Sequence, residues 1–356
     1  MKGLLHYIIG CFITICFTSC IMEDVEPDVE MVNVSISVSL ADAVSSRADE
    51  YTEAANDDEK MHTLRIVIVR NAQDGEVEHN RFIDLTQPLT FYGTETFEVR
   101  ANEQKYIYFF VNEKHTAFEN DHGFSFATDI VNGQPFPYKK LLEAKISLDV
   151  DKGNVQEMPK PLPMNSQYSL KVERVDMDKI FWVVRAATKF TYILNNENAQ
   201  TYELSHLEIS NQAATEHYMH QINNAIPVWS TENDGILQDI TSFNTPNEGT
   251  TTNHYSFVKD FSNPIKVPAK RQIQLDPIYL AETKCFSNYK SGNNYYKTSL
   301  SFRNLTSFIG KLENLDYQLP RNTHVVVKVN INQGDVTWEV DVFPYTGVVL
   351  EPEFGL

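Results

Sequence analysis

The sequence predicts an all-β protein, mainly strands with short helices, arranged as two tandem β-sandwiches. Three observations carry this. Apolar and polar residues alternate over whole strand lengths, most cleanly at 32–40 and 325–342. Turn formers such as Asp74-Gly75, Asn132-Gly133 and Gln333-Gly334-Asp335 punctuate the runs. Nowhere does a long amphipathic helical period develop, and short strands with such turns point to sandwiches. A length of 356 residues gives room for two ordinary cores.

Residues 1–20 read as a signal rather than as fold. Lys2 precedes a mostly apolar run from Leu4 to Phe17, too short for a stable membrane span. The run closes on Phe17-Thr18-Ser19-Cys20, and small residues before a cysteine mark Cys20 as the expected site of lipidation. Acyl chains there would anchor firmly, since each buried methylene contributes about 0.8 kcal/mol. Residues 23–30 are acidic and contain proline, so they form a tether and no core.

Residues 21–47 comprise this tether and the first strand. Val32, Val34, Ile36, Val38 and Leu40 point one way, and Asn33, Ser35, Ser37 and Ser39 the other. From Ala41 to Lys60 the chain turns small, polar and acidic. Arg47 is the only basic residue between Cys20 and Lys60, which makes the Arg47–Ala48 bond the expected protease site.

Residues 48–175 are assigned to the first sandwich. Strand signals lie at Leu64 to Val69, Phe97 to Val99 and Tyr106 to Val111. A short helix is expected around Tyr138 to Ala144, and the prolines at 159, 161 and 163 suggest an edge or loop. Residues 176–356 are assigned to the second sandwich, with strands at Phe181 to Val184, Phe190 to Leu194 and Leu204 to Ile209. Residues 211–264 are polar and read as long loops with a short helix. Strands resume at Ile273 to Leu275, Ile278 to Leu280 and Lys297 to Phe302. A C-terminal hairpin follows, with Val325, Val327, Val329 and Ile331 on one arm and Val336, Trp338, Val340 and Val342 on the other. Pro344, Gly347 and Pro352 loosen the tail, which carries Val348 and Leu350.

A net charge of −18 argues against nucleic acid and against anionic lipid headgroups as partners. Cys11 and Cys16 lie in the signal, so apart from Cys20 only Cys285 remains, too few for an internal disulfide or a cysteine metal site. No phosphate loop, nucleophile elbow or zinc-protease motif occurs. His217 and His220 lack a third ligand by spacing and read as surface histidines, as do His115 and His122. The expectation is therefore no cofactor, no metal and no enzyme activity. Tyr289, Tyr295 and Tyr296 lie in a polar Ser/Gly/Asn loop, where they either stack on a sugar or protein ligand or cover a sandwich edge.

In their order these residues resemble the fimbrillin superfamily, the type V pilins of Bacteroidetes. The resemblance rests on Cys20 with its acidic tether and on the strand Val32 to Leu40 ahead of Ser45-Ser46-Arg47-Ala48. It continues through Leu64 to Val69, Leu162-Pro163-Met164-Asn165-Ser166 and Val184-Arg185-Ala186-Ala187-Thr188-Lys189-Phe190. It closes with Leu319-Pro320-Arg321-Asn322-Thr323-His324, Trp338-Glu339-Val340 and Phe354-Gly355-Leu356, so it spans nearly the whole chain. The resemblance implies tandem transthyretin-like, Greek-key sandwiches in a subunit exported to the outer membrane and surface of a Gram-negative cell. It implies lipidation, cleavage after an arginine by an Arg-specific, trypsin-like protease, and departure of the first strand. The exposed groove would accept a strand from another fimbrial subunit, giving a homo- or heteropolymer for cell adhesion. The donor would be Val336 to Val342, or the tail with Val348 and Leu350. Stalk, tip and anchor positions stay open, as does the host or bacterial ligand. The competing expectation is a monomeric surface lipoprotein that binds glycan or protein.

Overall fold

The computed structural model describes residues 30–43, 55–115, 124–221, 229–230, 255–284, 296–303, 307–312, 318–333 and 335–346. It is all-β. The first assembly is one curled sheet. It contains β1 (Met31–Leu40), β3 (Met61–Arg70), β4 (Val77–Leu89), β5 (Phe91–Arg100), β6 (Gln104–Val111), β10 (Met164–Lys171) and β11 (Met177–Arg185). Their order is β4-β3-β6-β10-β11-β1-β5, with β15 (Trp229–Ser230) beside β10.

The two ends of this sheet meet. His79 Nε2 lies 2.8 Å from the Glu98 carbonyl, the Arg100 N–H donates to Glu78 Oε1 at 2.9 Å, and Arg81 pairs with Glu95 at 3.2 Å. The sheet thereby wraps a core that includes Val34, Ile36, Ile66, Phe97, Phe109 and Phe181. Phe181 packs at 5.1 Å from Phe109 and 4.7 Å from Tyr168, ring to ring. The near-continuous apolar runs of β3 and β6 reflect cover on both faces. Outside the curl, Phe126 lies 4.8 Å from Phe110 and Phe136 lies 4.3 Å from Tyr108. The short helix α1 (Tyr138–Glu143) buries Leu141 nearby.

The second assembly is a two-sheet sandwich. One sheet holds β12 (Thr188–Asn196), β17 (Arg271–Gln274), β18 (Ile278–Leu280), β23 (Thr323–Asn332), β24 (Asp335–Thr346) and β2 (Asp42–Ala43). Its order is β17-β12-β23-β24-β2, with β18 also on β12. The other runs β21 (Phe308–Lys311), β20 (Lys297–Phe302), β13 (Tyr202–Gln212), β16 (Tyr255–Val267), β9 (Asn154–Val155) and β8 (Val150–Asp151). Tyr192 on β12 and Thr298 on β20 share a hydroxyl hydrogen bond of 2.8 Å across the interior. Two short pairs complete the fold, β7 (Lys145–Ser147) with β14 (Thr215–His217) and β19 (Thr283–Lys284) with β22 (Gln318–Leu319).

Among the strands of eight or more residues, three lie where the sequence showed no strand signal: β4, β10 and β16. The segment 211–264, expected as loops with a short helix, contains most of β16. Of β16 only Phe257 and Val267 are fully buried, so no alternation marks it. The expected boundary near residue 176 falls one strand before the first sheet ends, because β11 is bonded to β10 and β1. From β11 the chain passes at Ala186–Ala187 into β12 of the second assembly, to which the earlier β2, β8 and β9 also belong.

Candidate functional site

The first strand is built for burial on one face and for bonding along both edges. Its β-branched residues favour extended backbone. Val32, Val34, Ile36, Val38 and Leu40 are 7%, 1%, 0%, 0% and 3% exposed, so all five fill the core of the curled sheet. On one side β1 runs parallel to β11, from Val34 opposite Met177 to Leu40 opposite Val183. On the other it runs antiparallel to β5, from Met31 opposite Arg100 to Ser39 opposite Phe91, with a bulge between Ile36 and Val38. The polar face meets polar neighbours. Ser35 lies 3.3 Å from the Thr96 hydroxyl, Ser37 lies 3.4 Å from that of Thr94, and the Asn33 N–H donates to Asp176 Oδ1 at 2.8 Å.

Burying an aliphatic side chain of this kind stabilises by about 1.5–3 kcal/mol, so the row contributes on the order of ten kcal/mol. That is the scale of a whole domain's stability. Taking β1 out would leave the edges of β5 and β11 bare, facing each other across an apolar slot one strand wide.

The chain is fixed independently on the far side of the expected cut. Arg47 and Ala48 lie outside the described residues, as does Cys20. The chain resumes at Ala55. Asn56 caps the turn Asp57–Glu59, accepting the Glu59 N–H at 3.2 Å. The buried Glu59 carboxylate accepts from Lys189 Nζ at 2.8 Å and from the Tyr279 hydroxyl at 2.6 Å. Burial pushes this carboxyl up, but the Arg185 and Lys189 charges outweigh it and hold Glu59 below its usual range.

The C-terminal candidate strand is occupied at home. β24 pairs with β23 from Asn332 opposite Asp335 to Thr323 opposite Pro344. Val336 and Val340 are buried, and Trp338 and Val342 pack against the core. The Trp338 ring lies on Gly310 of β21. A Cβ at that glycine would come within 2.3 Å of Trp338 Cδ2, so only glycine admits the ring. Val348 and Leu350 lie outside the described residues.

Other site expectations need correction. Tyr296 is no surface platform: it is 1% exposed, and its hydroxyl donates to the Thr283 carbonyl at 3.2 Å. It precedes β20, and its ring belongs to the core. Tyr289 and Tyr295 lie outside the described residues. His220 is not a surface histidine either, being 2% exposed, and His217 is part-buried. They flank a buried charge cluster that no sequence pattern announced. Arg321 donates to the carbonyls of Tyr218 at 2.7 Å and His217 at 2.5 Å, and to Glu282 Oε1 at 2.8 Å. Glu216 Oε2 accepts the Glu282 N–H at 2.7 Å.

Burial disfavours charge on both carboxyls, but Arg321 serves them unequally. Its charge, and then its direct bond, hold Glu282 below the usual range. Glu216, 3.9 Å from the guanidinium, is pushed up by burial and by the charge of Glu282. Asn165 on β10 donates to the Tyr218 carbonyl at 2.9 Å, which ties this cluster to the first sheet. Its partners lie far apart in sequence, so only the folded chain brings them together.

No protein-family profile matches the chain, and no curated protein is similar enough to match. Solved structures do match. The tip fimbrial protein Mfa3 of Porphyromonas gingivalis, truncated at its C-terminus, superposes with a TM-score of 0.51 at 14% identity, over 88% of this chain and 100% of that one. A candidate cell adhesion protein of Parabacteroides distasonis superposes with a TM-score of 0.50 at 10% identity, over 90% of this chain and 99% of its own. The fold is that of Bacteroidetes fimbrial proteins, as the sequence resemblance implied.

Proposed function

We propose that this protein is a structural fimbrial subunit, without enzyme activity, that assembles by strand exchange. It is exported and lipidated at Cys20, carried to the outer membrane surface, and cut between Arg47 and Ala48 by an Arg-specific protease. β1 then leaves with its tether, and a strand from another fimbrial subunit takes its place. The polymer serves adhesion.

The observation that carries this reading is the state of β1. It is bonded along both edges and buries all five alternate apolar side chains, yet it comes before the expected cut site, while the chain beyond that site is held by its own contacts at Asn56 and Glu59. A strand so placed can be exchanged without unthreading the rest. The incoming strand must present apolar residues at every second position, run parallel to β11 and antiparallel to β5, and keep short polar side chains opposite Thr94 and Thr96. Each joint links two different surfaces, so repetition gives a filament and not a closed ring. Because Val336, Trp338, Val340 and Val342 already serve their own sheet, the tail beyond Thr346, with Val348 and Leu350, is the better donor from within this chain.

The test is native digestion of residues 21–356 with a trypsin-like protease, followed by mass measurement and electron microscopy. The reading expects a new N-terminus at Ala48, release of the 21–47 peptide, and filaments when a donor subunit is present. A chain that resists cutting at Arg47 under conditions that cleave a denatured control would overturn it.

A further inference from the structure

We infer that β2 is a latch, which pins the root of the C-terminal segment for as long as β1 fills its groove. The inference rests on the strand-exchange reading and adds a control to it. One departing segment would open the acceptor groove and release the donor end in the same event.

Three observations carry it. First, the ladder between β23 and β24 ends at Thr323 opposite Pro344. Proline has no N–H to continue it. Tyr345 and Thr346 therefore overhang their hairpin, and their ladder partners are Ala43 and Asp42 of β2. Second, β2 is the outermost strand of that sheet, so among the described residues it alone pairs with this edge of β24. Third, β2 has no freedom of its own. A single residue, Ala41, separates it from β1. Ala41 is fully buried, its N–H donates to the Val183 carbonyl at 3.0 Å, and its carbonyl accepts from Arg185 Nη1 at 2.8 Å. One extended residue spans only about 3.5 Å, so β2 cannot stay on β24 once β1 leaves. An uncut subunit would thus be blocked twice: its groove is full and its donor root is held.

The test uses residues 21–356 carrying Cys285→Ser with Ala43→Cys and Tyr345→Cys. Directly opposed residues of an antiparallel pair lie close enough for a disulfide. The expected result is a disulfide in the uncut chain under mild oxidation. The 21–47 peptide then stays attached after cleavage at Arg47, and filament growth is at least tenfold slower until reductant is added. Two thiols that stay free under the same oxidation would overturn the latch.

A second variant guards against a misfolded first one. In Ala43→Pro, hydrogen exchange at whichever of the Tyr345 and Thr346 amides faces β2 should speed up at least tenfold, with β1 and β5 amides unchanged. Equal exchange at Tyr345 and Thr346 in both proteins would overturn the latch. Equal filament growth from the bridged and reduced forms sinks the latch alone. No filaments from either form, with donor subunit present, sinks strand exchange and the latch with it.

Discussion

The first and last described strands look alike in sequence and are held in opposite ways. β1 and β24 both alternate apolar and polar residues. β1 is a central strand whose neighbours, β5 and β11, are distant in sequence, and it connects onward through the segment that contains Arg47. β24 is the second arm of a tight hairpin, with Trp338 seated on Gly310 of the facing sheet. Alternation therefore identifies a half-buried strand but not a removable one. Removability depends on the connection. A strand joined by a short turn to its partner re-forms as soon as it opens, because closing a short loop costs little entropy. A strand cut from its neighbours has no such return path.

The contrast can be broken most severely at its centre. Ile36→Asp would bury an unpaired carboxylate where the native side chain is fully enclosed. We expect a loss above about 4 kcal/mol, read by chemical denaturation, with β5 and β11 losing hydrogen-exchange protection. Ser37→Asp, one residue away on the polar face, should change stability by less than about 0.5 kcal/mol.

Acid should separate the two assemblies. Burial lowers the pKa of His324 on β23 to about 4, from the 6.5 usual for histidine. The unfolded chain therefore takes up this proton first as the pH falls. The stability due to neutral His324 is complete above pH 6.5 and is lost on the way down to about pH 4, on the order of 3 kcal/mol. In the first sheet, the Arg70 hydrogen bond lowers Glu103 to about 2 from 4.5, so that contribution is lost only between pH 4.5 and 2. Exchange measured at pH 5 should show β23 and β24 loosened before β3 and β6, and His324→Gln should flatten the first phase.

Gly310→Val would drive a side chain into the Trp338 ring and should cost about 1–3 kcal/mol. The loss should fall on β24 and leave the protection of β1 unchanged. A smaller effect, whose size depends on pH, is expected at the buried cluster. Glu216 has its pKa raised by burial and by Glu282, so its contribution is present at low pH and fades as the pH rises through the folded value. Glu216→Gln should be nearly neutral in mild acid and more stable than the parent above pH 8, as thermal melts across that range would show.

What was legible in the sequence follows from how many faces each strand buries. β1, β3, β6, β23 and β24 bury one or both faces with apolar residues, and periodicity or a continuous run revealed them. β10 is buried too, but by Asn165, Ser166 and Gln167 beside Met164 and Tyr168, a mixture with no apolar period. β4 has only Val77 fully buried along its length, so its pattern is that of an exposed edge. At the site, the apolar row of β1 could be read directly. Its parallel partner could not, because register across 143 residues, as between Asn33 and Asp176, leaves no local trace. Loop-like composition ahead of Tyr296 hid a core residue, and Arg321 gave no sign of its buried carboxylates.

The most direct measurement follows the fate of β1 itself. The chain would be cut at Arg47 and mixed with an isotopically labelled peptide of residues 30–43, and incorporation would be followed by native mass spectrometry. A removable β1 predicts one labelled peptide per chain, in place of the original segment, with β5 and β11 amides staying protected. A cut chain that keeps its own segment and takes up no label would show that β1 is a permanent strand and would contradict the account.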